Sequence, residues 1–490
     1  MAIPATPASL GRRRFLGMVA SALVGSAALV ACSSQSAAPA AGNTPAPSSA
    51  APTAAAGAPT AAATTSSAAQ PAATAASQSN EPITLIWDTF RGIGTPWPQH
   101  MIDTYVKQFP NRKITLRPIP VPGGQQEAYP KMYAMYAAHT LGDNIAFDPS
   151  HWEFYRAVPQ GILFPVDDFV AQDKLDLTQW FKAFIDMQHF KGKMWGLPSW
   201  GWTGVDGLHF NEIALQEVGL PVPDQNSPDW TMDKVREYAD KLNKKTGNQV
   251  DRYGIDLSLG AAGVTIIARA WTSDIISEDG KKALLTDPSV LPAMQWIYDI
   301  CQTDKVDALP GSIPSGKDNA LFSSGKIGVL QGGSLSVTEL DTAIKDPKVT
   351  KLKSVLFPKR PDGKRPNQLR GGTWNVNSQS KHPYEAWQFI KVLSSYDGIL
   401  TFNTEGDNGA LTRPDVLKDK FFTQNPNFMV FLENLNNAIL AIVPFNAHGT
   451  EYETTFTQSF ANVYLGKSDF KTALQTAQNA VQAVLDKPAT

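Results

Sequence analysis

The chain has 490 residues, 42% of them hydrophobic, with 43 basic and 45 acidic side chains and a formal charge of −2. That near balance gives no electrostatic case for nucleic acid, and two cysteines rule out a disulfide-stapled scaffold. No stretch approaches the ~18 consecutive apolar residues of a transmembrane helix.

The N-terminus reads as an export signal. Arg12, Arg13 and Arg14 form a positive n-region, and Met18 to Val30 is uncharged, short enough for a signal h-region. Leu29-Val30-Ala31-Cys32 resembles the lipobox of bacterial lipoproteins, whose cysteine takes a diacylglycerol before cleavage. The resemblance implies a cleaved signal over 1–31 and a lipid on Cys32, anchoring the chain to the outer face of the cytoplasmic membrane. Arg12-Arg13-Arg14-Phe15-Leu16 also resembles a twin-arginine signal, although Gly11 and Gly17 depart from its usual flanks; the general secretory route stays open. Cleavage would remove three arginines, leaving 40 basic against 45 acidic residues, a charge of −5.

Residues 33–80 contain only Ala, Pro, Ser, Thr, Gly, Gln and Asn. Such a segment cannot bury enough apolar area to offset its ordering entropy, so 32–80 is expected to be a disordered linker, spanning roughly 35–40 Å root-mean-square.

From Ile83 onward β-branched runs alternate with helical patterns. Strands are predicted at 83–87, 113–117, 145–148, 208–210, 253–257, 327–330, 354–357 and 373–377. Helices are predicted at 98–109, 127–139, 232–245, 288–303, 383–395 and 452–465, with Thr231 capping the one that begins at Met232. Beyond Pro414 almost everything reads as helical. Strands separated by helices predict parallel α/β sheets. Cys301, in a helical pattern with Trp296 and Ile297, reads as a buried hydrophobe.

Several segments resemble, in order, the extracellular solute-binding proteins of ABC importers, in the family 1 group that includes maltose- and oligosaccharide-binding proteins. Gly161-Ile-Leu-Phe-Pro-Val-Asp-Asp-Phe169 is similar to the G-x-L-x-P-L-D-D stretch, and Lys191-Gly-Lys-Met-Trp-Gly-Leu-Pro198 to x-G-K-x-Y-G-x-P. Leu208–Asn211, Val218–Pro221 and Asp229–Thr231 follow in family order, as do Phe322–Gly328, Gly371–Trp374 with His382–Ser395, and Asn408–Arg413. One departure is Gly142-Asp143-Asn144-Ile145-Ala146, which lacks the proline usual before the third strand. The resemblance implies a two-lobed, type II periplasmic-binding-protein-like α/β fold with a helical C-terminal region. The first lobe is expected at 81–204 with 365–397 and the second at 205–364 with 398–490. Crossings are expected near 204–206, 359–370 and 395–405. It further implies a monomer that binds a small solute, most simply a sugar or oligosaccharide, and hands it to a permease, with no cofactor, no metal and no catalytic residue.

Tryptophan is the informative residue type, because sugar rings stack C–H faces on indole while carboxylates, amides and arginines bind hydroxyls. Six of the 12 tryptophans fall where a cleft wall is expected. Trp87, with Asp88, ends the first strand; Trp152 follows Asp148; Trp200 and Trp202 precede the first crossing; Trp271 ends a helix; Trp374 follows Gly372. Gly333 and Ser334 offer a backbone loop, and Arg413 a charge. On this reading Trp374→Ala weakens binding about tenfold or more without unfolding the protein. Trp180, Trp195, Trp230, Trp296 and Trp387 read as core.

Other constellations are weaker. Gly311–Lys317 fits the P-loop spacing, but Asp318 replaces the magnesium-binding Ser/Thr and Pro314 removes a backbone donor. Gly92-Ile-Gly94 lacks the third glycine of a dinucleotide fingerprint and reads as a turn. Seven scattered histidines and the absence of a G-x-S-x-G elbow argue against zinc and hydrolase chemistry. Asp167/Asp168 and Glu451/Glu453 keep open a cell-surface glycoside hydrolase. A glycerol-phosphate, polyamine or other polar ligand also stays open, with Arg91 and Arg413 too few to argue for phosphate.

Overall fold

The computed structural model describes residues 81–122, 125–271, 274–310, 318–407, 409–442 and 448–488. The signal, Cys32, the linker and the Gly311–Lys317 motif lie outside the described residues.

Among the described residues, ten strands build two five-stranded sheets: β1 (Ile83–Thr89), β2 (Arg112–Pro118), β3 (Asn144–Ile145), β4 (Leu197–Thr203), β5 (Gly207–Asn211), β6 (Lys244–Thr246), β7 (Gln249–Asp256), β8 (Ile327–Gly332), β9 (Leu352–Leu356) and β10 (Leu369–Val376). The first sheet runs β2-β1-β3-β10-β4 and the second β9-β5-β8-β7-β6. Each carries one lobe. The expected all-parallel sheets are in fact mixed. β1 runs parallel to β2 and β3, but β10 is antiparallel to both β3 and β4. In the second sheet β7 and β8 are parallel, whereas β5 and β6 run against their neighbours. The cause is connectivity: β4 leads directly through residues 204–206 into β5, and β10 enters from the second crossing, so these strands need no crossover helix.

The helices used below are α1 (Trp97–Gln108), α2 (Ala128–Ala137), α3 (Trp152–Ala157), α4 (Met232–Leu242), α5 (Ala261–Arg269), α6 (Leu291–Tyr298), α7 (Ser334–Ala343), α8 (Pro383–Leu393), α9 (Tyr396–Glu405), α10 (Gly449–Tyr464) and α11 (Phe470–Leu485). Thr231 caps α4 as expected, its hydroxyl accepting from the Lys234 amide at 3.2 Å. α4 ends at Leu242, three residues early, because 244–246 are drawn into the β6–β7 hairpin. α6 passes into a wider turn over Asp299–Thr303, where Arg236 ties Asp299 to Asp304.

The third crossing is not at 395–405. α9 packs on lobe 1: Trp97 Nε1 donates to the Gly398 carbonyl at 3.0 Å, and the Trp97 and Phe402 rings meet edge-on at 4.8 Å. Residues 409–412 follow it there, as Gly201 donates to the Gly409 carbonyl and Phe181 to that of Thr412. The chain reaches lobe 2 at Asn425, which donates to the Asp341 carboxylate, and at Asn427, which donates to the Leu352 carbonyl, so 398–413 belongs to lobe 1. Residues 439–441 then pair with the start of β10 at Leu369. α10 and α11 pack Tyr452, Phe456, Phe460 and Val481 into the lobe 2 core.

Lobe 1 is built around an aromatic knot. Trp87, Trp97, Trp374 and Phe389 are all at most 1% exposed, with ring centroids 5.1–6.0 Å apart. Trp180, Trp195, Trp230, Trp296 and Trp387 are core residues, as expected, and Cys301 is buried.

In lobe 2, Asp256 closes β7 beside Asp307, whose carboxylate accepts from the Leu257 amide at 2.9 Å. Among the described residues, Asp256 Oδ2 and Asp307 Oδ1 have no partner. Burial raises both carboxyls far above their ordinary range, Asp307 to about 8. Unfolded, each ionises near pH ~4. The folded state therefore holds extra protons between that pH and about 8, and stability is lost as pH rises through the window. Asp307→Asn keeps an acceptor for Leu257 while removing the ionisation. Its melting temperature should fall less between pH 5 and pH 8 than the wild type's; equal slopes would acquit Asp307.

Candidate functional site

The ends of β1, β3, β4 and β10 meet on one side of lobe 1. There the side chain of Arg91 forms an ion pair with Asp148 at 2.5 Å and lies 4.5 Å over the Trp200 ring. Tyr129, on α2, donates its hydroxyl to Asp148 Oδ2 at 3.1 Å, and burial raises that phenol well above its ordinary range. Asp148 Oδ1 and Trp200 Nε1 are buried without a partner among the described residues. Both face Gly372, where an added Cβ would sit 2.2 Å from the oxygen and 2.1 Å from the nitrogen. A side chain at 372 would displace both, so the glycine gives these two polar atoms their room. Asp148, Trp200 and Gly372 thus come together as expected, joined by Arg91 and Tyr129.

The cleft between the lobes lies beside this cluster. Ser150 and His151 reach it from the loop after β3, Trp152 from the start of α3, Arg370 from β10, Ala261 and Thr265 from α5, and Gly449 and Tyr452 from α10. The space they enclose is about 30 Å³, room for roughly two waters. The lobes touch where Trp152 passes the first residue of α10: a Cβ on Gly449 would lie 1.8 Å from the indole Cδ1. Burial lowers the His151 pKa to about 4, so this imidazole is neutral at pH 7.

Other expected contacts lie elsewhere. Trp87 and Trp374 are in the core, not the cleft wall. The register of β10 against β4 shifts between Gly371 and Thr373. A shift of this kind exchanges the faces of the residues beyond it, which accounts for Trp374 pointing inward. Asp88 is held by Arg117, whose Nη2 donates to it at 2.6 Å, and by the Gly142 amide at 2.6 Å; an aspartate so occupied is a structural anchor. Arg413 pairs with Asp415 at 2.7 Å and lies 5.0 Å over Trp180, buried in lobe 1. Gly333 packs beneath the first crossing, where a Cβ would lie 2.9 Å from the Thr203 carbonyl, and Ser334 beside it is fully buried. Trp271 lines a separate groove of about 660 Å³ with Met232 and Lys359. Trp202 is partly exposed and tilted on Trp200 at 6.3 Å.

Arg370, Ser150, Thr265, Gln368 and Tyr452 were not foreseen. Arg370 sits two residues before Gly372 on one strand, a usable signal. The others have none, because they converge from distant segments.

The rival constellations are occupied. Gly92 and Gly94 have positive φ of 66° and 81°, as a turn before α1 requires. Asp167 accepts from the Met194 amide, and Glu451 pairs with Lys487 at 2.6 Å. Among the described residues no group of three or more His, Cys, Asp or Glu could hold a metal, and no helix is long and apolar enough to cross a membrane.

Residues 87–398 match the family model of the bacterial extracellular solute-binding proteins. The chain belongs to this family. Among curated relatives of this solute-binding protein, the lactose-binding protein of Rhizobium radiobacter is 24% identical over 245 residues, covering 49% of this chain and 55% of the relative. The arabinooligosaccharide-binding protein of Bacillus subtilis (strain 168) is 21% identical over 263 residues, covering 54% and 56%. This chain thus spans about half the length of the curated relatives it matches. The sugar-binding protein MalE of Xanthomonas citri superposes with a TM-score of 0.68 at 16% identity, covering 82% of this chain and 97% of that one. That likeness establishes the two-lobed type II binding-protein fold for the solute-binding protein described here.

Proposed function

We propose that this solute-binding protein captures a sugar or oligosaccharide between its lobes and passes it to an ABC permease, working as a monomer outside the cytoplasmic membrane. The observation that carries this is the cleft itself. It sets a partly exposed indole, Trp152, among Ser150, Thr265, Gln368 and Arg370, with Gly449 and Tyr452 opposite. An aromatic face surrounded by hydroxyl, amide and guanidinium groups is the chemistry that holds a polyol ring. Relatives named for lactose and arabino-oligosaccharides support the same class. The lobes give a means of capture, since a ligand touching both stabilises the closed form over the open one. A lipid on Cys32 with a flexible 32–80 linker would keep that capture next to the permease.

The test is calorimetry and thermal shift on the mature chain against mono- and oligosaccharides, with product analysis on the same samples. At a saccharide concentration ~100 times Kd, stabilisation of about 2.7 kcal/mol is expected, with the sugar recovered intact. No stabilisation by any saccharide would end the capture reading. Release of cleaved products would replace it with a glycoside hydrolase.

A further inference from the structure

Three sources of positive potential converge on the interlobe space. α5 begins at Ala261 and α10 at Gly449, both lining it, and among the described residues neither helix start carries a side-chain cap. The N-cap residues Gly260 and His448 thus leave the first amides of both helices uncapped, and each helix contributes about half a positive charge there. The third source is Arg370. Arg91 is neutralised by Asp148 and Arg413 by Asp415, but Arg370 forms no ion pair among the described residues. Its Nε donates to Gln368 at 3.3 Å. The neighbouring residues 443–447 read Val-Pro-Phe-Asn-Ala and include no acid. Glu453 also lines the space and its charge acts on Arg370, but it is exposed to water and forms no ion pair with Arg370 among the described residues.

An independent observation points to a ligand. Ser150, 3% exposed, lines the same space with its hydroxyl unpartnered among the described residues. Buried polar atoms without a partner cost folding free energy, and a ligand oxygen would satisfy this one. The enclosed volume of about 30 Å³ suits one small oxyanion group and not a second sugar ring.

Building on the capture of a carbohydrate, we propose that the ligand bears an oxyanion, a carboxylate or a phosphate. That group seats between the Arg370 guanidinium, the Ser150 hydroxyl and the starts of α5 and α10. The rest of the carbohydrate extends along Trp152. Acidic saccharides are then the preferred solutes, and neutral sugars of the same size are weak competitors.

Calorimetry on the mature chain would compare digalacturonate with galactobiose, and glucose 1-phosphate with glucose. The expected result is a preference of about tenfold or more for one acidic member over its neutral counterpart. Which pair shows it identifies carboxylate or phosphate. Raising sodium chloride from about 50 to about 300 mM should weaken only the acidic ligand. Arg370→Gln should abolish the preference, the acidic ligand losing about tenfold more affinity than its neutral counterpart. Should that variant fail a circular-dichroism check of folding, Ser150→Ala and the wild-type preference with its salt dependence decide. Equal affinity for acidic and neutral members overturns the oxyanion and leaves sugar capture standing. Binding of no saccharide of either kind overturns capture itself.

Discussion

Trp374→Ala should lose about 3–5 kcal/mol of unfolding free energy, because it removes a fully buried indole from the centre of lobe 1. The ring lies stacked on Trp97 at 6.0 Å and edge-on to Trp87 at 5.7 Å, so two aromatic contacts go with it. Each is worth about 0.5–1.5 kcal/mol beyond area burial. The neighbours cannot collapse into the gap, since Trp87 is also held against Phe389 and Trp97 against Phe402. Urea unfolding followed by tryptophan fluorescence would read the loss, and calorimetry at low temperature would read saccharide affinity in the folded fraction. The two readouts separate the placements of Trp374. A large drop in stability with affinity nearly intact is what a core residue gives. A stability change below about 1 kcal/mol with a tenfold loss of affinity would return Trp374 to the cleft wall.

Why the sequence placed this residue on the wrong face is instructive. The strands themselves are legible: β1, β2, β8 and β9 lie within a few residues of their β-branched runs, and Thr231 caps α4 as its pattern implies. Alternation within a strand fixes a face only while the register holds, and the shift at Gly371–Thr373 exchanges the faces partway along β10. The Gly371-Gly372 pair is the visible trace of that shift, because glycine inside a strand marks a bulge or a close approach. Sheet direction departs from the sequence pattern for a related reason. Alternating strands and helices suggest parallel pairing, but this chain crosses between lobes along strands. Asp148, Trp200 and Gly372 were legible because each sits at a strand end or beside a glycine. Ser150, Thr265 and Tyr452 were not, since a cleft assembled from two lobes has no local period. Trp271 and Arg413 show the converse, a suggestive residue type engaged elsewhere in the fold.

Gly449→Val should weaken saccharide binding about tenfold or more, and overpacking against Trp152 should cost the ligand-free protein no more than about 1–3 kcal/mol. The first residue of α10 passes so close to Trp152 that even a Cβ would lie 1.8 Å from the indole Cδ1. Valine there forces Trp152 out of the cleft or holds the lobes apart. Both consequences act on binding. Displacing Trp152 removes the aromatic face, and blocking approach lowers the population of the closed form, which reduces apparent affinity in proportion. The first turn of a helix has few intrahelical donors to lose, so the fold of lobe 2, anchored by Tyr452, Phe456 and Phe460 further along α10, should survive. Small-angle scattering distinguishes the two routes, because only blocked approach leaves the ligand-saturated variant with the larger radius of the open form. A larger radius with weak binding assigns Gly449 to closure, and an unchanged radius with weak binding assigns the loss to Trp152. Wild-type affinity together with a wild-type radius would mean that the Trp152–Gly449 contact has no part in holding the ligand.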